Sequence, residues 1–270
     1  MAEHLDTLCK RRTNLKESLP FPGLRYSSAA VLNDKLYIIE GGYDVKCEKR
    51  MNDDGDDIDD EGMMVTYHVT SDAVYCLADH PTDPSAATWA LQSARLNITR
   101  YGHASIAFEG KVWVAGGHDG GYRRFSSVEV YDPAVGVWKR APDMTKERCR
   151  LTLMVVGDEL YAVCRNQHIE ELMIEKLSKV SAAWEVVTTL QEGRLGSSAA
   201  VVGSKIYVFG GGLSRIQEST WNAFDVLAGQ WASVSVSYEN RKLPRNDFSV
   251  GTAISVPSCL DNGKRMTWDN

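Results

Sequence analysis

Apolar and polar residues alternate in short runs along this 270-residue chain, and Asn, Asp and Gly punctuate the runs at close intervals. Side chains of an extended strand point to opposite faces with a period of two, so each run predicts a β-strand with one buried face. Pairs of runs joined by Asn33-Asp34-Lys35, Glu109-Gly110-Lys111 and Val202-Gly203-Ser204 predict antiparallel hairpins, because these residue types accept the backbone of tight hairpin turns.

The pattern repeats in register. The segments RYSSAAVLNDKLYIIEGG (25–42), RYGHASIAFEGKVWVAGG (100–117), RCRLTLMVVGDELYAVCR (148–165) and RLGSSAAVVGSKIYVFGG (194–211) are equal in length, each leading from an arginine to a glycine pair. The third segment has Cys164-Arg165 in place of that pair. A second pair of strands follows, the third strand ending near Tyr75, Tyr131 or Phe224 and the fourth beginning near a tryptophan. Trp89, Trp138, Trp184 and Trp231 recur at nearly even intervals. Each tryptophan is followed in turn by the next arginine, as Arg100, Arg148, Arg194 and, after a somewhat longer gap, Arg245. Four antiparallel strands in about 47 residues is the size of a propeller blade. The expected fold is therefore an all-β propeller.

A glycine pair after an apolar strand, then Tyr, then Trp about seven residues on, with a leading Arg, resembles the kelch repeat. The segment RYGHASIAFEGKVWVAGGHDGGYRRFSSVEVYDPAVGVWKRAPDM (100–144) is similar to the kelch domain of kelch-like (BTB-kelch) proteins. The resemblance implies a protein–protein interaction module that recognises a partner or substrate on its loop face. The settings it implies are a cullin-type ubiquitin-ligase adaptor or an actin- or cytoskeleton-associated protein, with no catalytic residue, no cofactor and no metal. It gives structural roles to Gly41, Gly42, Tyr75, Trp89, Gly116, Gly117, Tyr131, Trp138, Trp184, Gly210, Gly211 and Trp231. The physical reading agrees: glycine pairs let backbones crowd where a Cβ would clash, and Tyr and Trp supply apolar area between blades.

The expected organisation is one domain over 1–270, with blades at 25–99, 100–147, 148–193 and 194–244. Residues 1–24 resemble the second half of a blade, and residues 245–270, with the turn Asp261-Asn262-Gly263-Lys264, resemble a first half. Two strands from each end would make a fifth blade and remove exposed edges. A place in a larger ring is the alternative.

In such a blade the loop between strands two and three and the link from strand four to the next blade emerge on one face. The arginines Arg25, Arg100, Arg148, Arg194 and Arg245 fall in those links. Two roles are open to them: local ion pairing that holds blades together, or convergence to grip a carboxylate or phosphate on a partner, for which Arg offers bidentate recognition. The loop His118 to Phe125, with Tyr122, Arg123, Arg124 and Phe125, supplies basic and aromatic groups of the kind that anchor interfaces. Asn166-Gln167-His168 and Leu213 to Gln217 occupy the matching loops. The stretch from Gly42 to Tyr75 in blade one is more than twice as long as that from Gly117 to Tyr131 in blade two. That insertion carries NDDGDDIDDEG (52–62), with seven acidic residues in eleven positions. Aligned as a calcium loop from Asp57, it puts His68 where a bidentate Glu belongs, so an EF-hand is not expected. The run reads instead as a mobile acidic segment that either recruits a basic partner or competes with an acidic one for the arginines.

Composition narrows the function further. A net charge of −6 argues against nucleic-acid or anionic-membrane surfaces, and no run has the ~20 apolar residues that cross a bilayer. The cysteines Cys9, Cys47, Cys76, Cys149, Cys164 and Cys259 form no C-x-x-C pair, which fits reduced thiols in a soluble cytoplasmic protein. No G-x-S-x-G, P-loop or H-E-x-x-H is present, and His103, inside a first strand, reads as a packed structural group. Kelch-type propellers include iron enzymes with a Glu-x3-Asp-x3-His signature. Here Glu40 and Asp44 are followed by Glu48. The leading expectation is a non-enzymatic module binding protein, with an acidic peptide or a ubiquitination substrate as partner and no expectation for oligomeric state. A propeller enzyme and a pure scaffold are the alternatives.

Overall fold

In a computed structural model, the structure describes residues 3–6, 11–14, 25–49, 63–78, 88–121, 123–166, 171–191, 197–209 and 220–235. These residues form 20 β-strands. The chain divides into two compact units, Met1–Ala141 and Pro142–Asn270.

Unit 1 holds two four-stranded antiparallel blades. Blade one is β3 (Ser28–Leu32), β4 (Lys35–Ile39), β7 (Val74–Ala78) and β8 (Thr88–Leu91). Blade two is β9 (Ala104–Phe108), β10 (Lys111–Ala115), β11 (Val128–Asp132) and β12 (Val137–Ala141). The first hairpin of blade one turns on Asn33 and Asp34 at φ 51° and 59°, and that of blade two on Glu109 and Gly110 at 50° and 69°. Positive φ at both central residues matches the turn twist to that of the strands. Ile39, Tyr37, Val74, Val112, Val114, Tyr131 and Trp138 make one buried cluster drawn from both blades, which is what alternating strands need to hide their apolar faces.

Unit 2 repeats the design. Blade three is β13 (Thr152–Val156), β14 (Glu159–Asn166), β15 (Glu171–Ser178) and β16 (Ala183–Leu190). Blade four is β17 (Ser198–Val202), β18 (Lys205–Phe209), β19 (Thr220–Asp225) and β20 (Gln230–Ser235). Tyr161, Ile174, Leu172, Ile206, Val208 and Phe224 are its buried cluster, with Trp231 packed against it. The Trp231 indole donates to the Thr188 hydroxyl at 3.0 Å, joining the two blades of this unit.

Two smaller sheets complete the described strands. β1 (Glu3–Asp6) pairs antiparallel with β2 (Arg11–Asn14), a hairpin at the amino-terminal half-blade position; residues 245–270, its expected complement, lie outside the described residues. The second is a difference from expectation. The blade-one insertion is not a plain loop: β5 (Gly42–Lys49) and β6 (Met63–Thr70) pair along their full length, from Gly42 opposite Thr70 to Lys49 opposite Met63. The second, MMVTYHVT, is rich in β-branched and aromatic residues, whereas the first, GYDVKCEK, offers only Tyr43 and Val45, and the acidic run between them hid this signal. The run itself, 52–62, lies outside the described residues.

Candidate interaction face

The arginines of the repeat do not share one fate. Arg100 is 0 % exposed. Its Nη1 donates to the carbonyls of Gly116 at 2.7 Å and Ser127 at 2.9 Å, and its Nη2 to the Ser127 hydroxyl at 3.1 Å and Glu129 Oε1 at 2.7 Å. Glu129 is also buried, and it accepts from the Asn97 amide N–H and side chain, each at 2.7 Å, and from the Ile98 N–H at 3.2 Å. This is an internal clasp: strand β11 holds the incoming inter-blade link by its backbone and by its arginine. A buried charge persists where every strong donor finds an acceptor, as here.

Arg148 is turned inward in the same way and is 4 % exposed, but its clasp is poorer. Met173 stands where blade two has Ser127, two residues before the carboxylate. The guanidinium therefore meets the Met173 sulfur at 2.9 Å and Glu175 Oε1 only at 3.4 Å, and its Nε is buried without a hydrogen bond. Glu175 Oε2 still accepts the Thr145 N–H at 2.9 Å. Beside it, burial pushes the Cys164 thiol up to about 12, so it stays protonated.

For Arg100 and Arg148, the partner-gripping role is thus corrected to local pairing: strand alternation points them into the blade, where Glu129 and Glu175 consume their charge. Arg194, Arg245 and Tyr122 lie outside the described residues, as do the loops at 167–170 and 211–219.

Arg25 is different, and the cause is a shift of a single position. One residue fewer separates Arg25 from its turn at Asn33 than separates Arg100 from its turn at Glu109, although the glycine pair follows at the same distance in both. Ser28 opposes Ile39, and Arg25 bridges Gly42 three positions along. In blade two Ala104 opposes Ala115, and the residue three positions along is Tyr101, bridging His118. Arg25 therefore occupies the ladder position of Tyr101 rather than that of Arg100, and a slip of one residue exchanges the faces of a strand. Its side chain is exposed.

Register also corrects Tyr75. Leu77 opposes Trp89 as Tyr131 opposes Trp138, so Leu77 is the counterpart of Tyr131 and Tyr75 stands where blade two has Glu129. Blade one draws a carboxylate from elsewhere: Glu40 is buried and accepts from the Ser71 hydroxyl at 2.7 Å. Burial, and then the Glu40 charge, push the Tyr75 phenol above its ordinary range.

The loop after β10 folds into a cap. His118 and Tyr101 exchange backbone hydrogen bonds at 2.9 Å, the Phe125 N–H donates to the Gly117 carbonyl at 2.9 Å, and the Asp119 N–H to the Arg123 carbonyl at 3.1 Å. His118 Nδ1 accepts the Gly120 N–H at 3.2 Å, and Asp119 Oδ1 the Gly121 N–H at 2.9 Å. A run of rings lies beneath: Tyr26 to Tyr101 at 4.4 Å between centroids, and Tyr101 to His118 at 5.1 Å. The cations of Arg123 and Arg100 lie 5.8 Å and 5.6 Å from the Phe125 ring centroid. Arg123 is exposed, and Arg124 and Phe125 are half-buried. Unit 1 thus presents an exposed Arg25 next in sequence to the half-buried Tyr26 and an exposed Arg123 beside the half-buried Phe125, groups able to pair carboxylates next to aromatic rings.

Gly117, at φ 95°, lies against this cap, where an added Cβ would press on the Cβ atoms of Arg100 and His103 at 3.2 Å. His103 is buried, with Nδ1 3.2 Å from the Arg100 carbonyl, which assigns the proton to that nitrogen. Burial and the Arg100 charge lower its pKa to about 3. It is a neutral structural group. Among the described residues no three His, Cys, Asp or Glu side chains are placed to hold a metal ion.

A family model for the kelch motif matches residues 99–145, which is blade two with its flanks. Kelch-like protein 36 of Rattus norvegicus is 29 % identical over 138 residues, covering 47 % of this chain and 22 % of that protein. Alpha-scruin of Limulus polyphemus is 28 % identical over 133 residues, covering 46 % and 14 %. The chain therefore spans about a fifth or less of the relatives it resembles. The solved structure of YjhT superposes with a TM-score of 0.59 over 83 % of this chain and 68 % of its own, at 15 % identity, a likeness of fold. Four four-stranded antiparallel blades, a kelch model on the second and kelch proteins among the relatives identify a kelch-repeat β-propeller.

Proposed function

We propose that this chain holds a partner protein on the loop face of unit 1, through an acidic partner segment that pairs with Arg25 and Arg123 and packs on Tyr26 and Phe125. One observation carries the reading: the repeat's arginine is spent inside blade two, whereas blade one and the 118–125 cap carry exposed cations beside aromatic rings. Such pairs are the usual anchors of an interface. The setting we propose is the substrate-recognition part of a ubiquitin-ligase adaptor or an actin-associated protein, acting by binding and without a chemical step. Charge reversal of Arg25, Arg123 and Arg124 together, followed by affinity capture from the source cell, tests it. The expected result is loss of a defined set of proteins that the unaltered chain retains; a cullin complex among them supports the adaptor setting and actin the cytoskeletal one. Equal recovery by the folded variant sinks the loop-face reading.

A further inference from the structure

Three buried polar atoms in the seam between blades one and two, Ser28 Oγ, Ser105 Oγ and His103 Nε2, find no hydrogen-bond partner among the described residues. We propose that they form one binding site, and that it holds a single water molecule tying the first strand of blade one to that of blade two.

Register brings the three together. Side chains two apart on a strand share a face. Ser28 precedes Ala30 by two and opposes Ile39, and both of those residues belong to the buried cluster drawn from the two blades. Ser105 opposes Val114 of the same cluster and precedes Ala107, which packs against it. His103 stands two residues before Ser105 and shares its side. All three groups therefore point into the seam, from strands that pack against each other. The heads of those strands are joined as well: the Gly102 N–H donates to the Tyr26 carbonyl at 3.3 Å, and the backbone of Ile39, opposite Ser28, lies at the His103 imidazole.

Chemistry chooses the occupant. The Nδ1 proton of His103 is given to the Arg100 carbonyl, so Nε2 carries a bare lone pair and can only accept. Each serine hydroxyl has one hydrogen to give and lone pairs to offer. An anion has no hydrogen to donate and would face the Nε2 lone pair. Burial, and then the Arg100 charge, already hold this ring uncharged, and both act against a bound cation in the same way. Water is neutral and serves both needs. One of its hydrogens goes to Nε2, and its lone pairs take the hydroxyl hydrogens of Ser28 and Ser105. Three hydrogen bonds are the usual number for a buried water, and they relieve three groups that would otherwise be desolvated without compensation. The seam between these blades is thus keyed by a polar contact inside an apolar cluster.

A crystal structure of the whole chain, at a resolution that shows single waters, tests the site without any variant. The expected result is one peak within hydrogen-bonding distance of His103 Nε2 and both hydroxyls. A serine hydroxyl bonded directly to Nε2, or no peak among the three atoms, overturns the proposal. In solution, oxygen-17 relaxation dispersion counts waters held inside a protein for longer than it tumbles. The variant Ser28→Val/Ser105→Val, which puts methyl groups where the hydroxyls stand, should count one fewer than the unaltered chain. Its Tm should fall by about 2–4 °C for each hydroxyl removed, as expected when a buried polar group loses its partner. An unchanged count in the folded variant overturns the proposal too. Arg25 and Arg123 take no part in this site, so it and the partner-binding reading fail separately.

Discussion

Blades one and two share a spacing, a strand order and a core, yet they use their leading arginines in opposite ways. In blade two the turn waits until Glu109, a carboxylate stands ready at Glu129, and the pair is sealed at 2.7 Å with both side chains almost fully buried. In blade one the turn at Asn33 comes one position sooner after the arginine, Tyr75 fills the carboxylate's position, and Arg25 is at the surface. One residue, moved from before the turn to after it, turns a structural clasp into surface charge. The lesson is that a repeat's common spacing places a residue in the blade but does not assign its face; the register of the hairpin does that.

The comparison breaks most visibly at Glu129. Replacing it with Gln leaves the Arg100 charge buried without its partner, and about 3–5 kcal/mol should be lost, as when one member of a buried pair is removed. Chemical denaturation followed by tryptophan fluorescence reads the loss from the midpoint. The blade-one counterpart Tyr75→Phe, which removes a neutral hydroxyl rather than one charge of an ion pair, should cost far less. Similar losses in the two would mean that the clasp contributes little.

A second difference is titratable. His103 stands two residues after the bridging Tyr101, where blade one has Ser27 two residues after the bridging Arg25, and it is held neutral with a pKa near 3 against 6.5 when unfolded. Below pH 6.5 the unfolded chain takes up a proton that the folded chain refuses, so stability falls with pH, by up to about 1.4 kcal/mol per unit. Between pH 7 and 5 the loss should come to about 2 kcal/mol and be absent from His103→Gln. Thermal unfolding of both chains across that range checks it; parallel pH profiles would show that His103 is charged, or exposed, in the fold.

Much of this was open to reading in the chain itself. The blades, their hairpin turns and the tryptophans follow from period-two alternation and from turn residues such as Asn33-Asp34 and Glu109-Gly110. The site was less open. The clasp could have been found, since V-E-V-Y (128–131) and I-E-K-L (174–177) each put a carboxylate two residues before the strand-three partner of the tryptophan. Taking Tyr75 rather than Leu77 as that partner in blade one conceals the pattern. The ribbon was hidden for a different reason: a strongly charged stretch draws the eye to composition, while the strands on either side announce themselves only by alternation and pairing, which act across the whole insertion from Gly42 to Thr70.

Blade three supplies an intermediate case. Because Arg148 meets a sulfur and a carboxylate at 3.4 Å instead of two carbonyls, a hydroxyl and a carboxylate, less is lost when it goes. Arg148→Met, which can pack against Met173, should cost about 1–2 kcal/mol. Arg100→Met should cost at least twice as much by the same measurement, and a reversed order would mean that hydrogen-bond completeness does not set the value of the clasp.

The smallest expected effect is the most informative about face. Arg25→Ala removes an exposed side chain whose backbone N–H bond to the Gly42 carbonyl, at 3.0 Å, survives the change, so stability should move by no more than about 0.5 kcal/mol. Gly41 fixes the alternative. Its position is so close to the Arg25 and Tyr26 carbonyls that any side chain there would collide with them, so the backbone at this point has little freedom to rotate Arg25 inward. A loss with Arg25→Ala approaching that of Arg100→Met would mean that the arginine is buried in solution, that the turn shift does not exchange its face, and that blade one carries a clasp after all. A loss near zero, with weakened partner capture by the same variant, would place this arginine on the surface and in use.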